Sequence, residues 1–141
     1  MNPYALKHIS DEELKLFEDI RTAVSKIPDG IDLGKNDKGE GVILSCHILA
    51  RAVAKVFVLQ YVDGYVYPSF EHSWLETKSF HVIDVYPVAT LGGPIMIVGS
   101  AMCGLTHWHY KKRRLKKLGF NQSWFRQAVK KIVQELRLNQ K

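Results

Sequence analysis

Three residues of this 141-residue chain, Cys46, His72 and Asp84, have the types and the spacing to carry covalent chemistry. Cys46 follows Ser45, a favoured helix N-cap, so the thiol is expected in the first turn of a helix. Unpaired backbone N–H groups and the positive end of the helix dipole gather there. Both lower a thiol pKa and favour the nucleophilic thiolate. The same N–H groups are donors for the oxyanion of a tetrahedral acyl intermediate. The competing reading is a small buried hydrophobe, the commonest fate of a free cysteine.

His72 and Asp84 fall on two expected strands, His72–Glu76 and Phe80–Val85, joined at Thr77–Ser79. An antiparallel pairing around a turn centred near Lys78 sets His72 opposite Asp84, Trp74 opposite Val82 and Glu76 opposite Phe80. Opposed side chains share a sheet face with Cβ atoms roughly 4.5–5.5 Å apart. The carboxylate would then fix the imidazole tautomer and stabilise the imidazolium. The alternative is a half-exposed polar pair on a sheet surface, and a slip of one residue would separate the two groups onto opposite faces.

The elements that must position these residues can be read along the chain. Ser10-Asp11-Glu12-Glu13 has the form of a capping box, and Leu14, Phe17, Ile20, Val24 and Ile27 follow at helical spacing until Pro28-Asp29-Gly30. Asp29–Gly41, with four glycines, reads as a loop. The helix after Ser45 turns Ile48, Leu49, Ala52 and Val53 inward. Val56–Val62 is rich in β-branched and aromatic residues and reads as a strand ending in a tight turn at Asp63-Gly64, with Tyr65–Tyr67 as its return. Pro87 closes the His72–Asp84 hairpin, Gly92-Gly93-Pro94 reads as a turn rather than a phosphate loop, and Ile95–Val98 reads as one more strand. A final helix is expected from about Ser123, with Phe125, Val129, Ile132, Val133 and Leu136 on one face. This order predicts one α+β domain: an N-terminal helix and loop over 1–40, a core over 41–100, and a basic segment with the C-terminal helix over 107–141.

The residues Ser45-Cys46-His47, His72-Ser73-Trp74 and Ile83-Asp84-Val85-Tyr86-Pro87 resemble the core of the transglutaminase-like branch of papain-like thiol enzymes. The similarity spans about residues 41–88 and keeps the chain order Cys, His, Asp. It implies a papain-like core, in which the cysteine helix packs on an antiparallel sheet of about four or five strands. It also implies a hydrolase or acyltransferase (peptidase, amidase, deamidase or transglutaminase) working through an acyl-enzyme. Cys46 would be the nucleophile, His72 the general base and acid, and Asp84 the orienting carboxylate. Trp74 would pack beside the site, His47 could touch substrate, and Asn36 is the upstream amide available as an oxyanion donor. The chain departs from the pattern in carrying His47 where many members have an aromatic residue, and in separating Asp84 from Pro87 by two residues. No cofactor is implied.

The remaining candidates have bland readings. His81 falls on the strand face opposite Asp84, as a surface or core histidine, and Glu71 should point away from the His72 face. Cys103, His107 and His109 are soft ligands for zinc, but the spacing fits no strong pattern and no metal site is expected. The net charge of +6 invites a nucleic-acid reading, yet it is local. Residues 1–106 hold 9 Lys+Arg against 13 Asp+Glu, and residues 107–141 hold 11 basic residues against Glu135 alone. The alternative to an enzyme is therefore a small binding protein that uses Lys111, Lys112, Arg113, Arg114, Lys116 and Lys117 on nucleic acid or an acidic partner. No basic-then-apolar leader opens the chain and no apolar run approaches the ~20 residues of a membrane span, so a soluble cytoplasmic protein with reduced cysteines is expected.

Overall fold

The computed structural model describes residues 9–28, 30–66, 70–85, 94–97, 110–115 and 120–140. Helix α1 spans Asp11–Ser25, and the N-cap half of its expected capping box forms: the Ser10 side chain accepts from the Glu13 N–H at 3.1 Å. Helix α2 spans Cys46–Phe57, and Ser45 accepts from the Ile48 N–H at 3.3 Å. Helix α3 spans Ser123–Asn139 and buries Phe125, Ala128, Ile132, Val133 and Leu136. The strands are β1 Gln60–Val66, β2 Phe70–Glu76, β3 Val82–Asp84, β4 Ile95–Ile97 and β5 Tyr110–Lys112. They form one antiparallel sheet in the order β4-β3-β2-β1-β5, so the chain is α+β as expected. Among the described residues no helix is long and apolar enough to cross a membrane.

One face of the sheet supplies Leu75, Ile83 and Val85 to a core completed by Ile20 and Val24 of α1, Leu49 and Val53 of α2, and Ile132 and Leu136 of α3. Each such side chain contributes about 1.5–3 kcal/mol by leaving water. Alternation then puts His72, Trp74 and Asp84 on the other face, separate from that core.

Two local expectations are corrected. Asp63-Gly64 is not a turn. Helix α2 continues through Phe57 and ends at Val58 in the left-handed region (φ 55°), after which β1 runs straight through Asp63 and Gly64 to Val66. Gly64 is there because it has no side chain: a Cβ would run into the Lys111 carbonyl on β5 and the Trp74 ring on β2. The second correction is the hairpin register. Its turn is centred on Ser79, with the Thr77 N–H donating to the His81 carbonyl at 2.9 Å and Phe80 in the left-handed region (φ 64°). Phe80 is therefore part of the turn, and the pairs are Leu75 with Ile83 and Glu76 with Val82. The shift from the expected pairing is two residues, which preserves every side chain's face. Continuing it sets Asp84 beside Trp74 and makes His72 its diagonal neighbour, still within reach of a hydrogen bond.

The basic segment begins within the edge strand β5, which pairs with β1 and brings Tyr110 opposite Val66. Lys112 reaches across to Glu76 at 2.9 Å. Lysines on an exposed edge also discourage pairing with another chain. Lys116, Lys117, Gly92, Gly93 and the Cys103, His107 and His109 set lie outside the described residues, and no metal-ligand cluster occurs among the described residues.

Candidate active site

The start of α2 is fastened to β2 next to His72. The His47 Nδ1 lies 2.6 Å from the Ser73 hydroxyl. Ser73 has one hydroxyl proton and gives it to the Asp63 carboxylate at 2.5 Å, so the His47 Nδ1 must be the donor in its bond to Ser73. Asp63 is in turn gripped by both guanidinium nitrogens of Arg51, at 2.6 and 3.0 Å. The chain His47–Ser73–Asp63–Arg51 therefore ties the first two turns of α2 to β1 and β2. His47 was expected as a helix surface residue that could touch substrate. It is instead half-buried, and its ring packs on Phe120 at a centroid distance of 5.0 Å.

Cys46, one residue before this clamp, is a free cysteine and only 9% exposed. Burial opposes ionisation of the thiol, but hydrogen bonds from His47 and His72, together with their charges, outweigh it and bring Cys46 down to about 6. On the other side, the His72 Nε2 lies 2.9 Å from both carboxylate oxygens of Asp84. With Nε2 held there, Nδ1 is the ring nitrogen left to serve the thiol. Burial opposes protonation of His72, but the hydrogen bonds to Asp84 and then Cys46, with the charges of both, raise it to about 9. Between about pH 6 and 9 the pair is thus a thiolate and an imidazolium, with a carboxylate behind the imidazolium.

A scan of known protein families, of curated proteins and of solved structures finds no match to this chain.

The site has a fourth member that sequence reasoning missed. The Tyr110 hydroxyl donates to the Asp84 Oδ2 at 2.9 Å. Burial first, then the Asp84 charge and this hydrogen bond, push the phenol well above its usual range, so it stays protonated as a donor. Trp74 lies between these groups: it stacks near His72 (centroids 6.2 Å apart, 26° between planes) and meets Tyr110 edge-on at 5.2 Å. Trp74 is 1% exposed, so it packs beside the site as expected but acts as a wall rather than a surface for substrate. Pro87, which might have flagged the end of the aspartate strand, lies outside the described residues.

Asn36 is engaged elsewhere. Its side-chain oxygen accepts from the N–H groups of Lys38 and Glu40, at 2.9 and 3.0 Å, and so closes its own loop beneath the Lys35–Gly41 bridge. The amide nitrogen, the group an oxyanion role would use, takes no part in those two bonds. His81 is a core histidine, as its parity required: it is 2% exposed, with Nε2 3.7 Å from Glu13 of α1.

Proposed function

We propose that the protein is a cysteine-dependent acyl-transfer enzyme built on a small papain-like core, with Cys46, His72 and Asp84 as its triad. The observation that carries this reading is the placement of His72 between a carboxylate and the thiol. Its Nε2 sits at 2.9 Å from both Asp84 oxygens, and its presence beside Cys46 helps bring the sulfur down to about 6. A buried cysteine that merely filled space would have no need of an imidazolium beside it.

The Cys46 thiolate attacks an amide, ester or isopeptide carbonyl carbon, forming a carbon–sulfur bond and placing negative charge on the carbonyl oxygen. Within the first turn of α2, Ser45 already accepts from the N–H groups of Ile48 and Leu49. The N–H groups of Cys46 and His47 are therefore the first-turn donors left for the oxyanion. Collapse of the intermediate breaks the bond to the leaving amine or alkoxide, which takes a proton from the His72 imidazolium. The now neutral His72 then accepts a proton from water or an acceptor amine as that nucleophile attacks the thioester. Release of the acid or the new amide returns the thiolate–imidazolium pair. Asp84 holds the ring orientation in both halves of the cycle.

The reading is tested by incubating the protein with p-nitrophenyl esters and small-molecule thioesters and following acylation by intact-mass and peptide-level mass spectrometry. The expected result is an acyl group on Cys46 that turns over, and that accumulates without turnover in His72→Gln under forcing pH. Acylation of surface lysines alone, with Cys46 unmodified in the folded protein, would overturn it.

A further inference from the structure

A long groove of about 1290 Å³ runs between α2, α3 and the β1 side of the sheet. Its apolar floor includes Leu59, Leu115, Val129 and Val133. Its rim is cationic: Lys55 from α2, Arg114 after β5, and Arg126, Lys130 and Arg137 from α3, all five exposed. Among the described residues Asp63 is the one acidic residue lining it, and Arg51 already neutralises Asp63. Among the described residues no carboxylate pairs with any of the five rim cations. Five like charges around one concavity repel one another, so the site gains from a ligand that carries negative charge. Small-molecule pockets measure roughly 300–1,000 Å³, so this groove has room for a segment of a macromolecule.

We infer that this groove docks an acidic, amphipathic polypeptide segment, whose apolar side chains meet the floor and whose carboxylates meet the rim. Single-stranded nucleic acid fits the same charge but not the same surface. Binding without sequence preference depends on aromatic faces on which bases stack. Most of the groove's aromatic surface is already used, and Tyr61, 46% exposed, keeps the one open ring face. The Arg51 guanidinium lies 4.4 Å from the centroids of both Tyr61 and Phe120, and Phe125 is only 4% exposed. The rest of the accessible apolar surface is the half-buried aliphatic set Leu59, Leu115 and Val129, which suits leucine or valine side chains better than a run of stacked bases. The spacing on α3 supports a linear ligand: Arg126, Lys130 and Arg137 line one side of the groove over three turns of helix. The inference does not rest on the chemistry at Cys46, although Arg51, Asp63 and Phe120 line the groove and also hold the start of α2.

The test is fluorescence anisotropy on the full chain with three labelled probes. One is a short peptide of alternating glutamate and leucine, one is its serine-for-leucine counterpart, and one is an oligothymidylate of equal net charge. The glutamate–leucine peptide is expected to bind tightest, to weaken with added salt, and to lose about tenfold or more in affinity to the exposed pair Arg126→Glu and Lys130→Glu. The milder Lys130→Gln variant, with circular dichroism on both variants, guards against a folding defect and should lose affinity to a smaller degree. Equal or tighter binding of the oligothymidylate or the serine peptide would overturn the inference. So would an unchanged affinity in the folded charge-reversal variant, or no binding of any probe at low salt.

Discussion

The Tyr110 hydroxyl, carried on the outermost strand β5, donates to Asp84 on β3 at 2.9 Å, although β1 and β2 lie between the two strands. The crossing is possible because β1 presents only Gly64 at that point and Trp74 fills the space beneath the phenol. Tyr110 is a positioning residue: it acts on His72 through Asp84 and shares the carboxylate's charge with the imidazolium.

Removing that hydroxyl gives a directional test. In Tyr110→Phe the carboxylate no longer shares its charge with the phenol, so it should hold the His72 imidazolium more tightly. The His72 titration, followed by NMR of the ring, should move upward from about 9. Stability should fall by about 1.5–3 kcal/mol, the net worth of a hydrogen bond to a charged group. An unchanged or lowered His72 titration would mean that the phenol does not act through Asp84.

Gly64 tests the packing that lets Tyr110 reach across. A Cβ at Gly64 meets the Lys111 backbone and the Trp74 ring, neither of which can yield cheaply. Gly64→Ala should therefore cost about 1–3 kcal/mol or more and slow alkylation of Cys46. Gly41→Ala is the control: nothing lies within 4 Å of the added Cβ, and stability should stay within about 0.5 kcal/mol of the parent. Urea melts of both variants decide the matter, and equal effects would refute the steric account.

How much of this was legible in the sequence depended on the range of the interaction. The N-caps at Ser10 and Ser45 are local chemistry, and both form where the residue types put them. The parity of the His72 hairpin is also local, so the shared face of His72 and Asp84 survived a register error of two residues. The register itself was misjudged because Phe80 takes a left-handed conformation that a bulky residue seldom adopts. The Asp63-Gly64 dipeptide misled for a different reason. Its glycine answers to crowding from β2 and β5, a tertiary demand that turn statistics do not contain. Tyr110 was invisible as a site residue because the pairing of β5 with β1 joins segments more than forty residues apart. Asp63 was missed as the anchor of the His47 clamp once it had been assigned to a turn.

The ion pair also sets a stability signature. His72 is raised from 6.5 to about 9, so the stability it contributes is present below about pH 6.5 and is lost as pH rises through 9. Cys46 is lowered from 9.0 to about 6, so its contribution is present above about pH 9 and is lost as pH falls through 6. Between about 6.5 and 9 the folded state gains one proton at His72 and gives one up at Cys46 relative to the unfolded chain. The two slopes cancel, and this pair should leave stability flat across that range. In Cys46→Ser the cancelling partner is gone while Asp84 still holds His72 up. Stability relative to the parent should then fall as pH rises over the same window, by at most ~1.4 kcal/mol per pH unit. Parallel pH–stability curves for the two proteins would contradict the ion pair.

The central claim is that Cys46 is a thiolate held by His72, and the pH dependence of its alkylation addresses this most directly. The rate of iodoacetamide addition at Cys46, located by peptide mapping, should rise with an apparent pKa near 6. In His72→Ala the rise should shift toward the ordinary thiol value of about 9, with at least a tenfold loss of rate at pH 7. A parent profile that rises only near 9, and that His72→Ala leaves unchanged, would show a buried ordinary thiol and contradict the account.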